Sequence, residues 1–316
     1  MIKKINSNKN IIISHIADID GMGSVILANQ FYNNQIDYIL SDIDELPDLF
    51  NSFDFTNYET IYLCDLPLLN CTITILNHRP DLTRKLKHFD HHLCYEQEKP
   101  AYVNAFSVLN NRLTCGTELF YNYLLTLNSS LNNPFYQTLV EATREQDTWD
   151  FQEESYNAKL LASIHALIGP TAYIDLISSL DDQKPFQLPR HFNDLYKQDL
   201  ERQHAYLTQV NQNLLITTYK NYQIGVTIAE QYRSIIGAGI CQLHPELAFV
   251  MILNYNRNKV SLRSAKAEID LNQIAAEFHP EGGGHKNAAG FIIDDKSIPN
   301  IQKYHQLYLE NLKSKY

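Results

Sequence analysis

The chain has 316 residues, 44% of them hydrophobic, and a formal net charge of −10. That length points to two domains with ordinary apolar cores. The acidity excludes a coat for long DNA or RNA, which needs a basic stripe to neutralise many phosphates, but leaves short oligonucleotides and mononucleotides open, because bound cations can offset local carboxylates.

The chain opens MIKKINSNKN and then a brief IIIS run, too short for a signal-peptide core and followed at once by charge. Ile11 to Ser14 is predicted as a β-branched strand, with a helix from about Gly23 (GSVILANQFY). Thr60 to Cys64 and Leu86 to Phe89 are two further strands. Cys115-Gly116 opens a helix through TELFYNYLLTL, and Asn133-Pro134 opens the next, running into EATREQD. Helical stretches follow at LLASIHALI and AYIDLISSL. Alternating strands and helices predict a parallel α/β sheet. His191 to about Leu215 reads as one long polar-faced helix joining two domains, with the boundary near 190–215. Beyond it come a strand (YQIGVTIA), a helix (SIIGAGICQL) and a hairpin turning at Asn256 to Asn258. A helix (DLNQIAAEF), a glycine loop and a strand (AAGFII) follow. No run approaches about 18 apolar residues, so no membrane span is expected. Cys64, Cys71, Cys94, Cys115 and Cys241 are odd in number and form no C-x-x-C, which predicts reduced core thiols in a cytoplasmic protein.

The chemistry gathers where the predicted strands end. His15, Asp18, Asp20 and Gly21 follow the first strand, Asp65 the second, and Asp90-His91-His92 the third. Parallel strands end side by side at the carboxyl edge, where ligand crevices form. Asp147 or its neighbour Asp150 can add a carboxylate from the end of a helix. Crowded carboxylates repel one another unless cations neutralise them, and two divalent ions can share a carboxylate, activate water and neutralise a phosphate in flight. Histidine mixed with carboxylate and no cysteine suits Mn²⁺, whereas Mg²⁺ favours all-oxygen shells. Each piece alone has a plainer reading: D-x-D-G as a turn or helix cap, Asp65 as a cap, adjacent histidines as solvated surface.

These residues resemble the motifs of the DHH phosphoesterases: H-x-x-D-x-D-G, a strand-end Asp, D-H-H and a later Q-D-T. Val260-Ser261-Leu262-Arg263-Ser264, followed by Gly282-Gly283-Gly284-His285-Lys286-Asn287-Ala288-Ala289-Gly290, is similar to the DHHA1 module. The resemblance spans nearly the whole chain, and its layout is similar to that of the small nanoRNases and oligoribonucleases. It implies an α/β fold with a parallel-sheet DHH domain over 1–190, a connector helix over 191–215 and a smaller α/β DHHA1 domain over 216–316. It also implies two divalent ions, Mn²⁺ foremost and Mg²⁺ or Co²⁺ as alternatives. His15, Asp18 and Asp65 would hold one ion; Asp20, Asp65, His91 and Asp147 would hold the other, with Asp65 bridging. Asp90 would orient a neighbouring imidazole, and His92 would face the phosphate. The first motif departs from the family in setting His15 three residues before Asp18. Asp147 is preferred to Asp150 only because Asp-Thr matches the motif.

In the second domain, consecutive glycines let backbone amides approach an anion, and Arg263 offers a planar fork for a phosphate. Ser264 and His285 join Arg263 and Gly282–Gly284 as candidate substrate contacts. The plainer reading is a tight turn, and residues 257–286 hold five Lys/Arg against four Asp/Glu, hardly a basic cluster. The expected reaction is hydrolysis of short RNA or DNA to mononucleotides. A phosphatase for adenosine 3′,5′-bisphosphate, a linear-dinucleotide phosphodiesterase and a non-catalytic nucleotide binder are the alternatives. No long duplex and no membrane partner is expected, and a homodimer stays open.

Overall fold

The computed structural model describes residues 1–6, 8–92, 100–150 and 156–315. The chain divides into two compact units, Met1–Tyr196 and Lys197–Tyr316. Among the described residues no helix is long and apolar enough to cross a membrane. Cys94 lies outside the described residues. Cys64, Cys115 and Cys241 are buried free thiols, whereas Cys71 is exposed and belongs to no core.

The first unit begins with β1 (Ile2–Lys4), β2 (Asn10–His15), α1 (Ile19–Phe31), β3 (Asp37–Ser41), a 3₁₀ turn (Ile43–Glu45), α2 (Leu46–Ser52) and β4 (Thr60–Cys64). It continues through α3 (Asn70–Asn77), α4 (Pro80–Thr83), β5 (Leu86–Phe89), β6 (Val108–Leu109), β7 (Arg112–Leu113) and α5 (Gly116–Leu127). The helices α6 (Pro134–Thr148), α7 (Tyr156–Ile168), α8 (Pro170–Ser178) and α9 (His191–Gln212) complete the run, the division between units falling inside α9. The sheet order is β1-β3-β2-β4-β5, with β1 antiparallel to β3 and the other pairs parallel.

The hydrophobic run of β2 is explained by burial on both faces, the usual state of a parallel strand flanked by helices. Ile12 joins Tyr38, Leu40 and Tyr62 in a core with residues of α1, α5, α6, α7 and α8. Ile11 and Ile13 turn the other way, to Ile39, Ile61, Leu63 and residues of α2 and α3. Strand alternation thus builds two cores and sends every parallel strand to the same edge. The first helix starts at Ile19 rather than near Gly23, because Asp18 caps it and accepts from the amides of Asp20 and Gly21. Short apolar runs such as DYILS carry no decisive period, so β3, α2, α3 and α4 are not expected from the sequence alone.

The second unit contains β8 (Leu215–Tyr219), β9 (Tyr222–Ile228), α10 (Arg233–Leu243), β10 (Phe249–Asn254), β11 (Lys259–Arg263), α11 (Leu271–Phe278), β12 (Gly283–His285), β13 (Ala288–Ile292) and α12 (Ile298–Lys315). Its sheet order is β12-β13-β11-β10-β9-β8, parallel only between β9 and β10. Val250 and Ile252 face Ile236 and Ile240 of α10. Met251 and Leu253 face Ile274 and Phe278 of α11 and Tyr304 of α12.

Candidate metal centre

The carboxyl edge of the first sheet collects the polar residues that strand alternation leaves over. Ser14 and His15 end β2 and part company there. The Ser14 hydroxyl donates to the Gly21 carbonyl at 2.8 Å, while His15 Nδ1 lies 3.4 Å from both Asp18 Oδ2 and Asp65 Oδ2. Gly21 is obligatory in this turn, because a Cβ there would sit 1.9 Å from the His15 carbonyl oxygen. Of Ser14 and His15, it is therefore His15 that faces the carboxylates.

Asp65 occupies the middle of the cluster. It follows β4 in a left-handed conformation, φ 53°, uncommon for a residue with a side chain. Its amide donates to the Phe89 carbonyl at 2.9 Å, which fixes the strand end. One carboxylate oxygen, Oδ2, faces His15, and the other, Oδ1, lies 3.4 Å from His91 Nε2. His91 Nε2 also lies 3.2 Å from Asp147 Oδ2 and 3.8 Å from Asp20 Oδ2. Asp20 is fully buried and takes both oxygens to the N-terminus of α5, accepting from the amides of Gly116 and Thr117 at 2.7 Å each. A helix N-terminus stabilises the anion it receives.

Asp90 stands apart in role. Its Oδ1 lies 2.8 Å from His92 Nδ1, so it orients that ring. Asp150, the alternative to Asp147, instead accepts from Arg144 Nη1 at 3.0 Å. The structure thus gathers His15, Asp18, Asp20, Asp65, His91 and Asp147, with Asp90 and His92 beside Asp65.

The charges in this cluster strain against one another. Burial raises the Asp20 carboxyl well above its usual range, and Asp65 and Asp147 add to the rise. Burial, helped by Asp65 and Asp18 and opposed by His91, pushes Asp147 up to about 6. Burial alone would raise Asp65 too, but His15 and His91 hold it far below the ordinary carboxylate value. Burial would lower both histidines; Asp18, Asp42 and Asp65 instead carry His15 well up, and Asp147, Asp65 and Asp20 do the same for His91.

Three buried atoms at the centre, His15 Nδ1, Asp65 Oδ2 and Asp147 Oδ2, make no hydrogen bond. Each such atom costs about 1–3 kcal/mol if left so. The donor atoms of His15, Asp18 and Asp65, and those of Asp20, Asp65 and His91, fall within 4.8 Å of one another in each set. Divalent cations would satisfy all three atoms and relieve the repulsion, and the donor chemistry fits two sites that share Asp65.

Two neighbours were missed in the sequence. Asp42, just past β3, puts Oδ1 3.8 Å from His15 Nε2; the signal was there in DYILSD, a fourth apolar run ending in Asp. His165 of α7 is 8% exposed with a buried Nε2 that makes no hydrogen bond, and it feels the charges of Asp18 and His15. Its setting in LLASIHALI reads as a core histidine.

The candidate substrate residues of the second unit prove unequal. The expected glycine loop is largely strand, with Gly283 opposite Gly290 and His285 opposite Ala288. The Gly282 amide donates to the His279 carbonyl at 2.8 Å and the Gly284 amide to Asn272 Oδ1 at 3.0 Å, so two of the three amides are engaged within the fold. The Ser264 hydroxyl donates to the Ala248 carbonyl at 2.6 Å and accepts from the Lys266 amide at 3.1 Å. Arg263 differs. Its guanidinium donates to the Leu262 carbonyl and to Ser234 Oγ, its Nε is buried without a partner, and among the described residues it pairs with no carboxylate. Burial, and next the charge of Arg233, bring it down to about 10.

Residues 227–311 match the DHHA1 domain family. Over 292 residues the chain is 25% identical to the oligoribonuclease NrnB of Bacillus subtilis (strain 168), a match covering 88% of this chain and 72% of that protein. Exonuclease RecJ bound to manganese is 14% identical, with a TM-score of 0.58 over 98% of this chain and 91% of RecJ. The pGpG-specific phosphodiesterase PggH from Vibrio cholerae is also 14% identical, with a TM-score of 0.51 over 97% of this chain and 99% of PggH. At such identities the two solved structures share a fold with this chain, a mixed α/β arrangement with a parallel sheet and a second sheet domain.

Proposed function

We propose, from its likeness to the DHH/DHHA1 proteins, that this chain is a metal-dependent phosphoesterase hydrolysing short oligonucleotides to mononucleotides. The observation that carries the reading is the convergence of buried donor atoms lacking hydrogen bonds, His15 Nδ1, Asp65 Oδ2 and Asp147 Oδ2, at one sheet edge. His15, Asp18 and Asp65 would hold one ion and Asp20, Asp65, His91 and Asp147 a second, Mn²⁺ suiting the mixed nitrogen and oxygen donors best. Such ions supply an activated water and neutralise charge on the phosphoryl group.

The chain's own groups do the rest. Asp65 turns one oxygen to each set and keeps them in register. Asp20 is pinned by the Gly116 and Thr117 amides, so its position does not depend on a flexible side chain. Asp90 holds the His92 ring through Nδ1, and the ring's Nε2 would donate to a phosphate oxygen or to the departing oxygen. Arg263, a cation with no carboxylate counter-ion among the described residues, would bind a substrate phosphate, and His285 would assist it. The free thiols at Cys64, Cys71, Cys115 and Cys241 agree with a reducing, cytoplasmic compartment.

The test is product analysis on a length ladder of labelled oligonucleotides with adenosine 3′,5′-bisphosphate alongside. Stepwise release of mononucleotides is expected. Cleavage of the bisphosphate alone would replace the oligonucleotide reading with a small-molecule phosphatase, and no cleavage of any ester would leave a nucleotide binder.

A further inference from the structure

A second place in the first unit has the chemistry of a nucleotide site, and none of the clustered carboxylates or histidines lines it. It is an open depression of about 510 Å³ where β5 meets α5, lined by Arg84, Lys87, Phe89, Tyr102, Asn104 and Tyr123 among others. That size falls within the roughly 300–1,000 Å³ common for small-molecule sites. Among the described residues that line it, none is acidic. The chain has 36 acidic residues against 26 basic, so two cations with no carboxylate among the described lining residues set this wall against the overall charge.

Neighbouring cations are held by carboxylate or carbonyl oxygens. Arg79 pairs with Asp81 at 2.9 Å, and the Lys85 ammonium donates to the Phe55 and Thr56 carbonyls. Among the described residues, Arg84 and Lys87 form no ion pair. Lys87 sits over the Tyr123 ring, 5.0 Å from its centroid, and that ring lies 5.0 Å from Phe89. Phe89 is the residue immediately before Asp90-His91-His92. Positive charge interleaved with aromatic rings is how proteins hold single-stranded nucleic acid without reading its sequence.

We propose that this depression binds one nucleotide unit, its phosphate between Arg84 and Lys87 and its base against the wall of Phe89, Tyr102 and Tyr123. The inference rests on the phosphoesterase reading for its substrate class and extends it with a second holding point. The same chemistry would serve the distal unit of a bound oligonucleotide or a free mononucleotide, and the test separates the two.

The test uses the full chain loaded with Mn²⁺ and a hydrolysis-resistant phosphorothioate pentanucleotide, whose binding is followed by fluorescence anisotropy. The variant is Arg84→Glu with Lys87→Glu, both exposed positions, and its turnover of bis-p-nitrophenyl phosphate checks that the centre is intact. Affinity for the pentanucleotide should fall about tenfold or more, and the slope of log affinity against log salt should shrink by about 0.7 for each single-strand phosphate released. Dinucleotide binding should hardly change if the distal unit of an oligonucleotide is the occupant. Loss of adenosine monophosphate binding instead would assign the site to free nucleotide. Unchanged pentanucleotide and mononucleotide affinities in the variant overturn the site, as does competition by polyglutamate as strong as that by oligonucleotide. Hydrolysis that persists while the site fails leaves the phosphoesterase reading standing. Charge-sensitive binding without any hydrolysis keeps the site and removes that reading.

Discussion

Replacing Gly116 by alanine should disable the proposed metal centre without touching any of its donor atoms. A Cβ at Gly116 would lie 2.8 Å from Asp65 Cβ and 2.9 Å from the Asp65 amide nitrogen, where ordinary contact begins near 3.4 Å. One side must therefore yield by about half an ångström. Asp65 has little slack, since it already holds φ 53° and its amide is tied to the Phe89 carbonyl. Moving Gly116 instead drags the amide that binds Asp20 Oδ2 at 2.7 Å. Either shift moves a carboxylate of the donor sets, Asp65 in the first case and Asp20 in the second. Overpacking of this kind costs about 1–3 kcal/mol of stability. Misplacement approaching 1 Å costs on the order of a hundredfold in rate. Denaturant unfolding, steady-state turnover and metal analysis on Gly116→Ala would measure all three effects. Ile61→Val, a fully buried change costing about 0.5–1.5 kcal/mol, serves as the control that should keep its turnover. A Gly116→Ala protein with wild-type rate and wild-type metal content would refute the reasoning.

Other outcomes follow from the same geometry. Asp147→Asn should lose about a hundredfold or more in turnover, the usual scale for a metal-site group. Asp150→Asn should lose only about 1 kcal/mol or less of stability, because Asp150 serves the Arg144 ion pair and Glu141 also holds that arginine. Parallel kinetics and melts on the two variants would expose the reverse order, which would move the fourth motif by three residues. Mn²⁺ at about a hundred times its dissociation constant should stabilise the protein by about 2.7 kcal/mol, and a thermal-shift assay reads that. A melting temperature indifferent to the ion would count against a built site. Arg263→Ala should weaken dinucleotide turnover by about tenfold or more, the scale of a charge-assisted bond, while sparing bis-p-nitrophenyl phosphate and metal content. Equal losses on both esters would place Arg263 in the catalytic centre itself.

The parts of the site that were legible are those a parallel sheet displays by rule. His15, Asp65 and Asp90 each follow an apolar run, so strand ends in sequence became neighbours in space. Asp42 escaped only because DYILS was not read as a strand. The support behind the candidate ligands was beyond reach of the sequence, since it depends on tertiary approach. The amides of α5 at Asp20, the left-handed turn at Asp65 and the need for glycine at 116 appear only when the elements pack. His165 on an apolar helix face looked like core for the same reason. In the second unit the glycine run suggested an anion-binding loop. The α11–β12 packing instead takes the amides of Gly282 and Gly284. Arg263 is still a candidate for a substrate phosphate, since among the described residues it pairs with no carboxylate, a property only the folded unit displays.

The number of metal ions bound per chain, measured on the 316-residue chain before and after Asp65→Ala, bears most directly on the proposed centre. One carboxylate shared between two donor sets predicts about two ions in the wild type, with both sites weakened together and hydrolysis abolished in the variant. A wild type that turns over with one ion or none, or an Asp65→Ala protein that retains two ions and near-normal turnover, would contradict it.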